Sequence, residues 1–224
     1  MAIFGFDAIA GRIAGDGFAA QKKPLATAAT RFPYIVYMPN KSAKKARILS
    51  SRPAYRGPAF WVTTDKVLEP TGVTVRRDIV HHTGSVVVLA IDDSQAEPKI
   101  LLVRQYRHAA SQYLWELCAG RIDEGENELV AAKREFREET GYSAKQWKRI
   151  FRFYASPGFV AETMAIYVAR GLHPGPAHPE EDEVIVLRFF PLNAALKMVR
   201  SGTIKDAKTI IGILWLAQQD AAKS

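Results

Sequence analysis

The chain has 224 residues, 48 % of them hydrophobic, and a formal net charge of +8. That length and composition are enough to bury a full core and exclude bulk disorder, while a lone cysteine, Cys118, excludes an intrachain disulfide framework and fits a reducing cytoplasm. No apolar run reaches the ~20 residues a membrane helix needs, and Asp7, Arg12 and Asp16 interrupt the stretch where a signal peptide would require an apolar core.

Residues 1–50 hold most of the excess charge, Lys22, Lys23, Arg31, Lys44 and Lys45 among it, and read as a basic, solvated extension. No recognisable nucleic-acid module lies there, so a nucleic-acid partner is not expected. Residues 51–80 read as N-terminal strands around AFWVTTDKVLEP and VTVRRDIVHH, broken by the turn signal Glu69-Pro70-Thr71-Gly72. Residues 81–224 form the main domain. In it GSVVVLAIDD and KILLVRQYR are apolar strands joined by a polar DDSQAEP turn, and YLWELCAGRI is a third strand in which Cys118 reads as a buried structural thiol. A helix is predicted from Glu128 to Thr140, which lacks Gly and Pro and spaces Leu129, Ala132 and Phe136 along one face; Gly141 stands where a helix C-terminal glycine belongs. QWKRIFRFYASPG and TMAIYVARGL then read as strands around a loop, DEVIVLRFFPL as another strand, and LNAALKMVRSG and DAKTIIGILWLAQQD as helices. Strands first, with helices between and after them, argue for an α+β fold in which helices sandwich a mixed sheet.

The chemistry concentrates in residues 120–142, GRIDEGENELVAAKREFREETGY. Gly120, Glu126, Arg134, Glu135, Glu138, Glu139 and Gly141 satisfy a fixed pattern that would recur by chance at about one in 10^8 to 10^9 start positions. On the predicted helix Glu135 and Glu139 share a face, with Glu138 beside them. Like charges so placed cost stability unless a cation compensates them, and clustered carboxylates suit Mg2+ or Mn2+ better than zinc. Arg134 can hold the set together by pairing with Glu126 or Glu138.

This stretch resembles the Nudix box, the signature of hydrolases that cleave a nucleoside diphosphate linked to another moiety. The resemblance implies the Nudix α/β/α sandwich, here with an N-terminal extension. Four flanks resemble the ADP-ribose pyrophosphatase branch: VRQYRHAA with LWELCAG, the Ser156-Pro157-Gly158 loop followed by Glu162, the acidic run Glu180-Glu181-Asp182-Glu183, and GTIKDAKTIIGILWL. One departure is Cys118, where that branch commonly has proline. The implied reaction is hydrolysis of ADP-ribose to AMP and ribose 5-phosphate, with Mg2+ as cofactor and Mn2+ able to replace it. The metal would be held by Glu135, Glu138, Glu139 and the carbonyl of Ala119. The acidic loop implies Glu181 as general base and Glu183 as a further ligand. Glu139 and Arg134 complete the catalytic set. Arg107 is the candidate for the diphosphate; pairing with surface carboxylates, which is worth little, is the other reading. Gly158 and Glu162 would face the terminal ribose. The branch implies a homodimer, in which Arg56 and Trp61 reach the adenine of the partner's site; packing of Trp61 within its own strand is the other reading. A nucleoside diphosphate sugar such as GDP-mannose is the alternative substrate. A sensor that binds ADP-ribose without turnover is a third reading, against which the intact glutamates weigh.

Overall fold

The computed structural model describes residues 45–178 and 184–222. The basic extension up to residue 44 and the acidic run containing Glu181 and Glu183 therefore lie outside the described residues. Among the described residues ten strands and three α-helices follow one another: β1 (Arg47–Arg56), β2 (Trp61–Leu68), β3 (Thr74–His81), β4 (Ser85–Asp92), β5 (Lys99–Arg107), β6 (Gln112–Glu116), β7 (Cys118–Arg121), α1 (Glu128–Thr140), β8 (Ser143–Tyr154), β9 (Thr163–His173), β10 (Val186–Pro191), α2 (Leu192–Arg200) and α3 (Ala207–Ala221). Among the described residues no helix is long and apolar enough to cross a membrane.

The central sheet runs β10-β5-β4-β9-β8, with β6 beside β5 and β7 beside β4. It is mixed, because β4 and β9 are parallel while the other pairs are antiparallel. β4 explains the layering. Its residues Val86 to Ile91 are at most 1 % exposed, so both faces of the strand are covered. Val86, Val88 and Ala90 pack with Ala131, Ala132 and Phe136 of α1. Val87, Leu89 and Ile91 pack on the opposite face with Leu192 and Ala195 of α2 and Ile213 and Leu216 of α3. Successive side chains of a strand point to opposite faces, and each set here meets its own helix layer. The result is an α/β/α sandwich.

The expected single strand over YLWELCAGRI is broken at Leu117. β6 pairs with β5, whereas β7 pairs with β4, so the chain changes partner at that residue. Period-2 apolar patterning is blind to such a switch, since both halves present the same faces. The Leu117 N–H finds the Thr209 hydroxyl at 2.8 Å instead, and α3 comes close here because residue 212 is glycine; a Cβ there would stand 2.7 Å from Leu117 Cδ1.

β1, β2 and β3 form a separate antiparallel sheet. β1 begins inside the stretch that the sequence reads as extension, and all ten of its residues are exposed. The turn at Glu69–Gly72 forms as expected, with the Gly72 N–H donating to the Glu69 carbonyl at 2.9 Å and Gly72 at φ +87°.

α1 ends as its sequence predicts. The Gly141 N–H closes on the Arg137 carbonyl at 2.9 Å with φ +71°, a conformation that a side chain disfavours. The same glycine lies against the backbone of residues 175–177, and a Cβ would stand 2.8 Å from Ala177 N and overlap the Gly175 carbonyl. Gly141→Ala should therefore lose about 2 kcal/mol or more. Thermal unfolding checks this, with a midpoint expected to fall by roughly 4–8 °C for a domain of this size.

Candidate active site

The site starts from the entry to α1. The Asn127 side chain caps the helix by accepting the Leu129 N–H at 2.9 Å. Inside the helix, Arg134 reaches several carboxylates at once. Its Nε and Nη2 donate to the two oxygens of Glu126 at 3.0 and 2.8 Å, and its Nη1 donates to Glu135 at 2.8 Å and Glu138 at 3.2 Å. Nη2 also donates to the Arg121 carbonyl at 3.0 Å, which ties the helix to the end of β7. Glu126 in turn accepts the Asp123 N–H at 3.1 Å and so folds the connecting loop back on itself. The Arg134 guanidinium is held well above its usual pKa, chiefly by its bonds to Glu126 and then to Glu135. It lowers the Glu126 carboxyl in return.

Opposite α1, β7 brings Ala119 and Gly120 under the same glutamates. A Cβ on Gly120 would overlap the Glu135 carboxylate, so glycine is what allows that carboxylate to lie on the strand. The glutamates differ in depth: Glu138 is 46 % exposed at its side chain, Glu135 16 %, and Glu139 is buried. The wall is made of hard oxygen donors, the kind that Mg2+ or Mn2+ requires. Among the described residues no three such groups converge into a preformed cage; Arg134 draws the Glu135 and Glu138 oxygens to itself. The donor set fits a hard divalent ion in its chemistry. An open groove of about 650 Å³ follows the outer flank of α1, and Arg134 and Glu138 line it together with Lys133, Arg137, Trp147 and His178.

Arg107, at the end of β5, faces this wall from the other side. Its Nε and Nη2 donate to the two oxygens of Glu116 at 2.9 and 3.0 Å, and Glu116 is 2 % exposed. Arg107 is thus held by a carboxylate of its own chain while lying within electrostatic reach of Glu139; Glu116 first, then Glu139 and Asp206, hold its pKa up. Sequence reasoning missed Glu116. The available signal was a lone acid inside the apolar run LWELC, which cannot be buried without a cation.

The Ser156–Glu162 loop is fixed to β3. The Val80 N–H donates to Phe159 O and the Ala161 N–H to Val80 O, each at 2.8 Å. Glu162 accepts the Ser85 hydroxyl at 2.6 Å and lies 3.7 Å from His82 Nδ1. A Cβ on Gly158 would meet open space among the described residues. Trp61, 40 % exposed, stacks on His81 of its own chain at 5.2 Å and 8°. The loop between Arg56 and Trp61 is anchored by the Arg121 Nη1 bond to the Pro58 carbonyl at 2.7 Å. The structure therefore gathers Ala119, Arg134, Glu135, Glu138, Glu139 and Arg107 around α1 and β7. It sets Gly158 and Glu162 on the loop beside β3, and Arg56 and Trp61 on the neighbouring small sheet. Cys118 is buried.

The family model described as the NUDIX domain matches residues 80–210. A methanol dehydrogenase activator from Bacillus methanolicus is 36 % identical over 179 residues, covering 79 % of this chain and 95 % of that protein. An ADP-ribose pyrophosphatase from Bacillus subtilis (strain 168) is 34 % identical over 180 residues, covering 80 % of this chain and 96 % of that protein. A crystal structure of an ADP compounds hydrolase superimposes with a TM-score of 0.71 over 83 % of this chain and 99 % of that chain. At 22 % identity it is a likeness of fold.

The charge pairs set an acid limit on stability. Burial pushes the Glu116 carboxyl up, but the Arg107 fork and Lys208 more than reverse it, leaving its pKa below the ordinary 4.5. A carboxyl lowered on folding contributes stability that is complete above its unfolded value and is lost as pH falls through its folded value. The denaturation midpoint should therefore decline with acid from just below pH 4.5. Glu116→Gln, measured by chemical denaturation across the same range, should flatten that decline while lowering stability at neutral pH.

Proposed function

The chain belongs to the Nudix family, and on that footing we propose that it is a pyrophosphohydrolase that cleaves ADP-ribose to AMP and ribose 5-phosphate. The observation that carries this reading is the Arg134-centred set of Glu126, Glu135 and Glu138, folded against Gly120 with Glu139 buried beside it. Glu135, Glu138, Glu139 and the Ala119 carbonyl, joined by Glu183, would hold Mg2+, which supplies charge neutralisation on the diphosphate and acidifies a water; Mn2+ can replace it. Arg107 offers its guanidinium edge to the diphosphate, a group that its planar fork matches. Glu181 takes the proton of the attacking water as the water oxygen bonds to phosphorus and the anhydride P–O bond breaks. Glu162 and the Gly158 backbone orient the terminal ribose. GDP-mannose would engage the same diphosphate machinery, so the choice between the two rests on the loops that meet base and sugar.

We assign a homodimer as the working assembly, with the β1–β3 sheet as its contact. β1 is exposed along its whole length and displays Ile48, Leu49 and Tyr55 to solvent, an arrangement that a lone small sheet can ill sustain. Trp61, backed by His81, and Arg56 would then stand at the adenine of the partner's site.

Turnover with Mg2+, followed by chromatography, tests the substrate: AMP and ribose 5-phosphate should appear in equal amounts. GDP-mannose cleaved faster than ADP-ribose would reassign it. Glu139→Gln should lower kcat by about 10^2-fold or more with the thermal midpoint within a few degrees. Normal turnover in that folded variant would remove Glu139 from the metal set. Glu181→Gln should lower kcat with little change in Mg2+ dependence, whereas Glu183→Gln should raise the Mg2+ needed for half activity; the reverse pattern exchanges their roles. Light scattering should give twice the chain mass, and Leu49→Asp should halve it. A wild-type monomer at micromolar concentration would rule out the shared site.

A further inference from the structure

Four alternating charges run from the start of α3 to Arg107, and the roles above use only the last. Lys208, buried in the first turn of α3, donates through Nζ to Glu116 Oε2 at 2.6 Å and to Asp206 Oδ1 at 2.8 Å. Glu116 Oε2 is also the oxygen that receives Arg107 Nη2, so two cations divide one carboxylate. Asp206 also caps α3, its Oδ2 accepting the N–H of Thr209 at 3.0 Å and the Thr209 hydroxyl at 2.5 Å.

The two-pronged bond from Arg107 already satisfies Glu116. Lys208 divides its charge between Glu116 and Asp206, so the four charges balance, and without the lysine two carboxylates would face one guanidinium. The lysine's electrostatic effect falls on Arg107. A guanidinium paired one-to-one with a carboxylate is a neutral unit that attracts an anion weakly. With Lys208 drawing on the same carboxylate, the Arg107 end of the chain of charges keeps positive character. It does so beside Glu139, on a side chain still 38 % exposed.

We propose that Lys208 is a positioning residue for diphosphate binding: by sharing Glu116 with Arg107, it leaves the Arg107 guanidinium charge to offer to the substrate. This rests on Arg107 as the diphosphate contact. A purely structural role, tying α3 to the end of β6, needs only hydrogen bonds and no charge.

The test is a set of Michaelis constants for ADP-ribose with Mg2+. Lys208→Met should raise KM by about tenfold while kcat stays within roughly threefold. Lys208→Gln keeps a hydrogen-bond donor but no charge and should behave like Lys208→Met. A Gln variant with wild-type KM would mean that the lysine is only a tether and overturn the proposal. In an Arg107→Ala background, Lys208→Met should change KM by less than about twofold, because the group it acts through is gone. Multiplying effects in the double variant, or a loss confined to kcat, would overturn it as well. Arg107→Ala with an unchanged KM would instead locate the error in the assignment of Arg107. If the wild-type protein does not turn over ADP-ribose, the same variants are compared by their Kd for inorganic pyrophosphate in calorimetry. The same pattern there supports the proposal, and equal affinities overturn it.

Discussion

The site is organised around the Arg134 guanidinium. Glutamates repeated at helical spacing repel, and a helix carrying them would ordinarily splay those side chains into solvent. Arg134 reverses that tendency by binding Glu126, Glu135 and Glu138 together with the Arg121 carbonyl. Four elements meet there: the end of β7, the turn after it, the first half of α1 and its last turn. A lysine at this position could not do the same work, since one ammonium lacks the flat fork that spans both oxygens of Glu126 while still reaching Glu135. The arrangement holds the carboxylates of Glu126, Glu135 and Glu138 around one group.

The helix that bears the site was legible because its signals are local. A run without Gly or Pro, apolar residues on one face and a closing glycine predict Glu128–Thr140, and the helix has those bounds. The pairing of Arg134 with Glu138, one helical turn on, was equally open to reading, whereas Glu126 lies before the helix and reaches Arg134 because its loop folds back. Glu116 and Lys208 were not, because they stand 92 positions apart and meet only when α3 packs across the sheet. The change of partner at Leu117 was hidden for another reason. Alternation of apolar residues reports which face a strand buries, not which neighbour it bonds. Glu181 and Glu183 lie outside the described residues, so the place of the acidic run rests on the sequence pattern.

Leu117 also links the two helix layers to the chemistry. A chain that leaves one ladder for another strands a backbone donor, and a buried donor left without a partner is costly. Thr209 supplies the acceptor, Asp206 orients Thr209, and Lys208, between them in sequence, grips Glu116 one residue before the switch. The first turn of α3 thereby supports the segment whose next residues, Cys118 to Gly120, run beneath the glutamates of α1. A helix on the far face of the sheet from α1 is so tied to the segment that leads to Ala119 and, through Glu116, to Arg107.

The small N-terminal sheet has a different relation to the core. Asp65 and Val67 are the buried residues of β2, and β1 has none, so packing alone does little to hold this sheet in place. Its attachment is polar and local: the Val80 bonds to the Phe159–Ala161 segment and the Arg121 bond to Pro58. Both anchors end on site-bearing segments, one on the loop carrying Gly158 and Glu162, the other on the residue after Gly120. Displacement of the sheet would therefore pull on both segments. A second copy that covered β1 would add the apolar burial that the sheet lacks and, through those two anchors, stiffen the loop of Gly158 and Glu162 and the end of β7. The sheet is thus joined to those loops through named hydrogen bonds rather than through the core.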